Sequence, residues 1–157
     1  MVNISHLIAA LRDPTIKKRR AAASQLGKSG NLSAIPPLIE ALSDTHPVVR
    51  REVVLALGRL GDSSAVTGLI ASLDDTDVEV RAAAVAAMGK IKDREAVDPL
   101  IRCLCDKEII IRIGAAEVLG KLGDRRAIEP LKNLEHDQFS EVREAAAAAI
   151  RKLRVRS

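Results

Sequence analysis

A chain of 157 residues is about one domain long, and at that length no metal or disulfide staple is needed to complete a core. Its hydrophobic 47% is mostly Ala, Leu, Ile and Val, with one Phe and neither Tyr nor Trp, which argues against aromatic stacking platforms and sugar-binding clefts. A formal net charge of +4 with 29% charged residues is too mild for a typical nucleic-acid-binding module. The opening MVNISHLIAALRD lacks the basic leader and small-residue cleavage site of an export signal. No apolar run approaches the roughly 18 residues that span a bilayer. Cys103 and Cys105 stand too close in sequence for a stabilising long-loop disulfide. These features predict a cytoplasmic, reduced protein.

An internal register organises the chain. Arg19, Arg50, Arg81, Arg112 and Arg143 recur every 31 residues, each six residues after Asp13, Asp44, Asp75, Asp106 and Asp137. Gly27, Gly58, Gly89 and Gly120 keep the same step, with Arg151 in the fifth place, and Leu7, Leu38, Leu69, Leu100 and Leu131 form an apolar column. The register predicts one domain over 1–157, made of five two-helix units at about 3–30, 34–61, 65–92, 96–123 and 127–155.

The first unit carries Ile4, Leu7, Ile8 and Leu11 on its first helix and the basic cluster Lys17–Arg20. In the second, Ile35, Leu38, Ile39 and Leu42 make one helical face, with Pro36 and Pro37 in the first turn, where a missing N–H costs little. Asp44 or Thr45 is expected to cap the next helix, Pro47 to open it and Gly61 to end the unit. Val49, Val53, Ala56, Leu57 and Leu60 supply its apolar face. In the fourth unit, DKEIIIRIGAAEVLG reads locally as a short strand, because Ile109, Ile110, Ile111 and Ile113 are β-branched. The register overrules this: Arg112 aligns with four other arginines, and Ile111 takes the place of a core valine opening a second helix. The fifth unit ends in the small, apolar run Ala145–Ala149 and the basic Arg151–Arg156. Solenoid ends normally need polar caps, so that run predicts possible self-association through the terminal repeats or packing on a further repeat.

The recurring pattern D-x-x-x-V-R-x-x-A-A-x-A-L-G-x-L-G-D-x-x-A-I-x-P-L-I-x-A-L, clearest in VRAAAVAAMGKIKDREAVDPLIRCL and IRIGAAEVLGKLGDRRAIEPLKNL, resembles the short HEAT-like repeat of phycobilisome lyases. The resemblance implies an all-α solenoid of five stacked two-helix repeats in a right-handed superhelix. It says little about function, since this repeat serves many scaffolds.

Three polar or exposed patterns follow from the register. Asp44, Arg50, Asp75, Arg81, Asp106, Arg112, Asp137 and Arg143 read as an ion-pair ladder, each Asp closing its turn and pairing with the Arg of its own or the next unit. The rival reading is a row of arginines for phosphates, disfavoured because every Arg has its own Asp. Lys28, Arg59, Lys90, Lys121 and Lys152 form a second column, either complementing helix C-termini or making a basic stripe. The resemblance implies that second helices line a concave groove, where free positions are Pro47, Val48, Arg51, Glu52 and Leu55; Val78, Glu79, Ala82, Ala83 and Ala86; and Ile109, Ile110, Ile113, Gly114 and Glu117. A frame one residue off would return Val78 and Ile109 to the core.

No nucleophile motif, phosphate loop or catalytic carboxylate pair appears, so a non-enzymatic reading is preferred and no cofactor is expected. Two cysteines and the scattered His6, His46 and His136 make a poor metal set. Cys103 reads as packing and Cys105 as exposed. The functional expectation is a scaffold binding another protein along the groove, with Val48, Leu55, Ala82, Ala86, Ile110 and Ile113 as floor and Arg51, Lys90, Lys121 and Glu117 as rim. The alternatives are a bilin lyase subunit or phycobilisome-associated factor that binds a phycobiliprotein or bilin, and an acidic-polymer or nucleic-acid binder using the basic stripe.

Overall fold

The computed structural model describes residues 3–155, which form ten α-helices and, among those residues, no strand. They fall into two compact units, Met1–Ile91 and Lys92–Ser157. Unit one holds α1 (Ile4–Ala10), α2 (Ile16–Lys28), α3 (Ile35–Ala41), α4 (Pro47–Leu60), α5 (Val66–Ser72) and α6 (Val78–Ile91). Unit two holds α7 (Val97–Cys103), α8 (Ile109–Leu122), α9 (Ile128–Lys132) and α10 (Ser140–Val155). Each odd-numbered helix packs against the even-numbered helix that follows it, and the even-numbered helices stack within their units, α2 on α4 on α6 and α8 on α10.

The apolar columns explain this arrangement. Leu38, Val49, Val53, Ala56 and Leu57 are completely buried, as are Leu100, Ile111, Ala115 and Leu119 in unit two. Ile111 is therefore a core residue of a helix, because packing at a fixed register outweighs the modest β-propensity of its neighbours. Short helices alone would be marginal; burying one face against a neighbouring pair stabilises them.

The turns use acidic side chains in a way that differs from the sequence expectation. Asp44 Oδ1 accepts the His46 N–H at 2.9 Å, closing the turn before the helix starts. The cap itself is neither Asp44 nor Thr45 but His46, whose Nδ1 accepts the Val48 N–H at 3.3 Å. The same side-chain turn occurs at Asp75 with Asp77, Asp106 with Glu108 and Asp137 with Phe139. A second set sits between repeats: Asn31, Asp62, Asp93 and Asp124 each accept the backbone N–H two residues on. They start 3₁₀ turns that bury Ala34, Ala65, Ala96 and Ala127 completely.

Gly61 and Gly123 cap their helices at φ 69° and 79°, and Lys92 occupies the same register position at φ 59°. A side chain in the left-handed region is strained by about 1–2 kcal/mol. Lys92→Gly should therefore raise stability by about 0.5–1 kcal/mol, the strain relief being partly offset by glycine's greater entropy in the unfolded chain. Chemical denaturation of both proteins checks this, and an unchanged or lowered midpoint would show the strain to be absent.

The outermost repeats differ from the inner ones. Ile39 and Leu42 face the following repeat at Gly68, where a Cβ would lie 3.1 and 3.4 Å from them. In the fifth repeat Lys132 and Glu135 hold those register positions, and Arg151 holds the glycine position. In the first repeat an exposed Gln25 stands where Ala56 receives the helix before it. Within Ala145–Ala149, meanwhile, Ala146 and Ala149 are buried inside unit two and the other three are half-buried. Two alanines of the run thus pack inward, and the outward register positions carry the polar or charged Gln25, Lys132, Glu135 and Arg151.

Candidate partner-binding faces

The ladder residues are engaged in structure. Arg50 reaches the following repeat, with Nε 2.7 Å from Asp75 Oδ2 and Nη2 2.8 Å from Asp75 Oδ1, while its Nη1 donates to the Asp44 carbonyl at 3.0 Å. Arg19 and Asp44 repeat this geometry, as do Arg112 and Asp137. Each of these aspartates therefore pairs with the Arg of the preceding repeat, not of its own or the next. The Arg of its own repeat instead binds its backbone carbonyl, as Arg81 does on Asp75 and Arg143 on Asp137. The Arg50 guanidinium holds the Asp75 carboxyl below the usual carboxylate range, and Arg112 does so for Asp137 with help from the Phe139 N–H. At Asp44 burial pushes upward, but Arg19 and the His46 N–H outweigh it and the net direction is down. The Phe139 ring lies 5.8 Å from the Arg112 guanidinium carbon, a contact that the register alone does not announce.

A cleft of about 530 Å³ between the first two repeats is lined by Ile8, Leu11, Arg19, Pro37, Glu40 and Asp44, among others. Its carboxylates are already taken, Glu40 by Arg12 at 2.9 Å, Asp44 by Arg19 and Asp13 by Lys18 at 3.3 Å. It is a seam of the stack.

The exposed faces of the second helices are different. On α4, Val48 is 42% exposed, Arg51 is exposed and Leu55 is half-buried. On α6, Ala82 is half-buried and Ala86 exposed, whereas Ala83 turns inward and is only 6% exposed. Ala83 therefore leaves the set of free positions. Val78 and Ile109 are half-buried at the helix starts. On α8, Ile110 is 58% exposed, Ile113 half-buried and Glu117 exposed. Isolated exposed apolar residues are ordinary, but Val48 and Ile110 hold the same register position.

Lys28, Arg59, Lys90, Lys121 and Lys152 are all exposed in the last turns of α2, α4, α6, α8 and α10, where a cation complements the helix dipole. Arg59 also pairs with Glu52 at 2.9 Å. Arg156, at the end of the basic C-terminal cluster, lies outside the described residues. Cys103 is buried with its Sγ 3.4 Å from the Pro99 carbonyl, and Cys105 is exposed. Among the described residues no group of His, Cys, Asp and Glu is placed to hold a metal ion, and no helix is long and apolar enough to cross a membrane.

Repeated helical pairs, joined by Asp turns and cross-linked by Arg–Asp bridges, define an all-α solenoid repeat protein. The sequence matches the HEAT repeats family over residues 4–78 and 66–151, and the chain belongs to that family. Its repeats are of the HEAT-like, phycobilisome-lyase type. The fold is similar to a chain of the CpcE–CpcF complex of phycocyanin lyase from Nostoc sp. PCC7120, at 30% identity and a TM-score of 0.82. That match covers 98% of this chain and 65% of the other, so this chain spans slightly less than two thirds of that protein's length. A designed armadillo repeat protein in complex with the peptide (KR)4 is similar in fold at 20% identity and a TM-score of 0.75, covering 96% of this chain and 81% of that one. Human deoxyhypusine hydroxylase shares the fold more distantly, at 18% identity and a TM-score of 0.50 over 97% and 84% of the two chains. No curated protein matches the sequence.

Proposed function

We propose that the protein is a non-enzymatic scaffold that binds another protein through the exposed faces of its second helices. The observation that carries this reading is Ile110, 58% exposed on a rigid helix at the register position of Val48. Ile113 and Glu117 follow one and two turns later on α8, giving apolar anchors beside a charge. Val48, Leu55, Ala82 and Ala86, with Arg51, offer the matching positions in unit one. Anchors of this kind supply most affinity in protein interfaces, and rim charges such as Lys90 and Lys121 steer the encounter. The unbroken 31-residue register supports treating the five repeats as one functional domain.

A second reading is favoured by the likeness to the phycocyanin lyase chain, which extends over 98% of this chain. In it the partner is a phycobiliprotein or its bilin, and the exposed Cys105 is the residue to examine for reactivity.

Ile110→Asp should reduce capture of the partner from native lysate about tenfold. Its melting temperature should change little, because substitutions at exposed positions stay within about 0.5 kcal/mol. Equal capture by wild type and variant would defeat the reading, and a large fall in melting temperature would place Ile110 in the core. Mass spectrometry of the captured protein decides between the readings: a phycobiliprotein supports the second.

A further inference from the structure

We infer that the second-helix face of unit one is built for an extended acidic segment carrying an apolar side chain, an inference that rests on reading these faces as partner-binding. The charge on this face is one-sided. Lys17, Arg20, Lys28, Arg51, Arg59 and Lys90 are all exposed on α2, α4 and α6. The only carboxylates on those three helices are Glu52 and Glu79. Glu52 is held by Arg59 at 2.9 Å and Glu79 lies 3.7 Å from Arg51. The nearby turn aspartates are committed as well: Asp44 and Asp75 to the ladder, Asp77 to the Glu79 and Val80 N–H groups. Among the described residues, Lys17, Arg20, Lys28 and Lys90 have no carboxylate partner. Helix-dipole complementarity explains Lys28 and Lys90, which sit in last turns. It does not explain Lys17, in the first turn of α2, where a cation is opposed by the dipole and no acidic residue is present, or Arg20, one turn further on. Neither cation is placed to stabilise its helix, which points to a role outside the fold.

Spacing identifies the form of the ligand. Successive stacked helices lie about 8–10 Å apart. An extended or polyproline-like chain advances about 9–10 Å in three residues. An acidic residue at every third position would therefore meet one helix after another, α2 to α4 to α6. Val48 and Leu55 stand on the middle helix between the flanking cations and would take a leucine-sized side chain from the same segment. This apolar element favours a peptide over a nucleic acid. The chain also lacks Tyr and Trp, so the base-stacking platforms of single-strand binders are missing.

The test uses the full chain and a fluorescein-labelled peptide of about 15 residues with glutamate at every third position and leucine at its centre. Three competitors are a lysine-for-glutamate version, the same composition with its glutamates clustered, and an oligothymidylate. The spaced acidic peptide should bind, and the clustered and lysine versions should bind about tenfold more weakly or not at all. Combined Lys17→Glu and Arg20→Glu should weaken it about tenfold, and Val48→Asp to a similar extent, with thermal melting retained in both. Equal affinity for clustered and spaced peptides overturns the geometry. Tighter binding of oligothymidylate assigns the face to nucleic acid and overturns the proposal. No binding of the acidic peptide while Ile110-dependent capture persists overturns this inference and leaves the scaffold reading standing; loss of both removes the two together.

Discussion

Gly27→Leu should cost about 3 kcal/mol and lower the melting temperature by about 6–12 °C. A Cβ built on Gly27 lies 2.6 Å from the Ala56 Cα and 2.8 Å from its Cβ. The nearest atom is backbone, so a side-chain rotation cannot relieve the overlap; α2 and α4 must separate, loosening the buried Leu26 and Leu57 with them. The same distances order milder changes. At Gly58 the Cβ would meet Ala87 Cβ at 2.9 Å, and at Gly120 it would meet Ala149 Cα at 3.0 Å. Alanine substitutions should therefore destabilise most at Gly27, less at Gly58 and least at Gly120, where the entropy gained by replacing glycine in a helix offsets more of the strain. Ala87→Gly should rescue Gly58→Ala in a double-mutant cycle, because the nearest clash there is with a methyl group. Equal melting temperatures for Gly27→Leu and wild type would refute the close approach.

The same packing logic explains how much of the molecule its sequence discloses. A position that must satisfy one neighbour in every repeat leaves its residue type at every thirty-first place, as the glycines, the buried alanines and the Arg–Asp columns do. Helix existence, repeat number and core were legible for that reason, even at Ile109–Ile113, where local propensity pointed elsewhere. The partner of each aspartate was not legible. Asp75 has Arg81 six residues ahead and Arg50 twenty-five behind. Only three dimensions show that the first binds its carbonyl and the second its carboxylate. Which second-helix positions point outward was legible to within about one residue. Ala82 and Ala86 stayed outward while Ala83 turned in, since one step along a helix rotates a side chain by about 100°.

The ends follow a different logic. Ala145–Ala149 looked like an exposed apolar surface because small residues suit both a core contact and an interface. Comparison by register is more informative than composition. Lys132 and Glu135 stand where Ile39 and Leu42 meet the next repeat, and Gln25 where Ala56 meets the one before. Lys132 already pairs with Glu129 at 2.6 Å, and burying Glu135 without a partner would be costly. Of the exposed large apolar residues, Ile16, Val48, Ile110 and Val155 lie on second helices, while Leu32 and Phe139 lie in turns.

Arg50→Ala should destabilise by about 2–3 kcal/mol, between the values for exposed pairs and fully buried ones. The Arg50 and Asp75 side chains are 16% and 11% exposed, so removing the guanidinium leaves a poorly solvated carboxylate. It also leaves the Asp44 carbonyl without its donor. Lysine should not restore the loss, because one ammonium cannot satisfy both carboxylate oxygens and the carbonyl in the planar geometry that arginine supplies. Replacing both partners with apolar residues, Arg50→Met with Asp75→Leu, should cost less than Arg50→Ala alone, since no charge is then stranded. Acid titration gives an independent reading. Arg50 lowers the folded-state pKa of Asp75 below its unfolded value, so this contribution is fully present above the ordinary carboxylate range and disappears as pH falls through the depressed value. Asp44 and Asp137 shift in the same direction. Wild-type stability should thus fall away below about pH 4. In Arg50→Ala that acid limb should be shallower, because the Asp75 pKa returns toward its unfolded value. Parallel acid limbs in the two proteins would show that the ladder pair contributes nothing to linkage, and a loss under about 0.5 kcal/mol at neutral pH would reduce it to an ordinary surface contact.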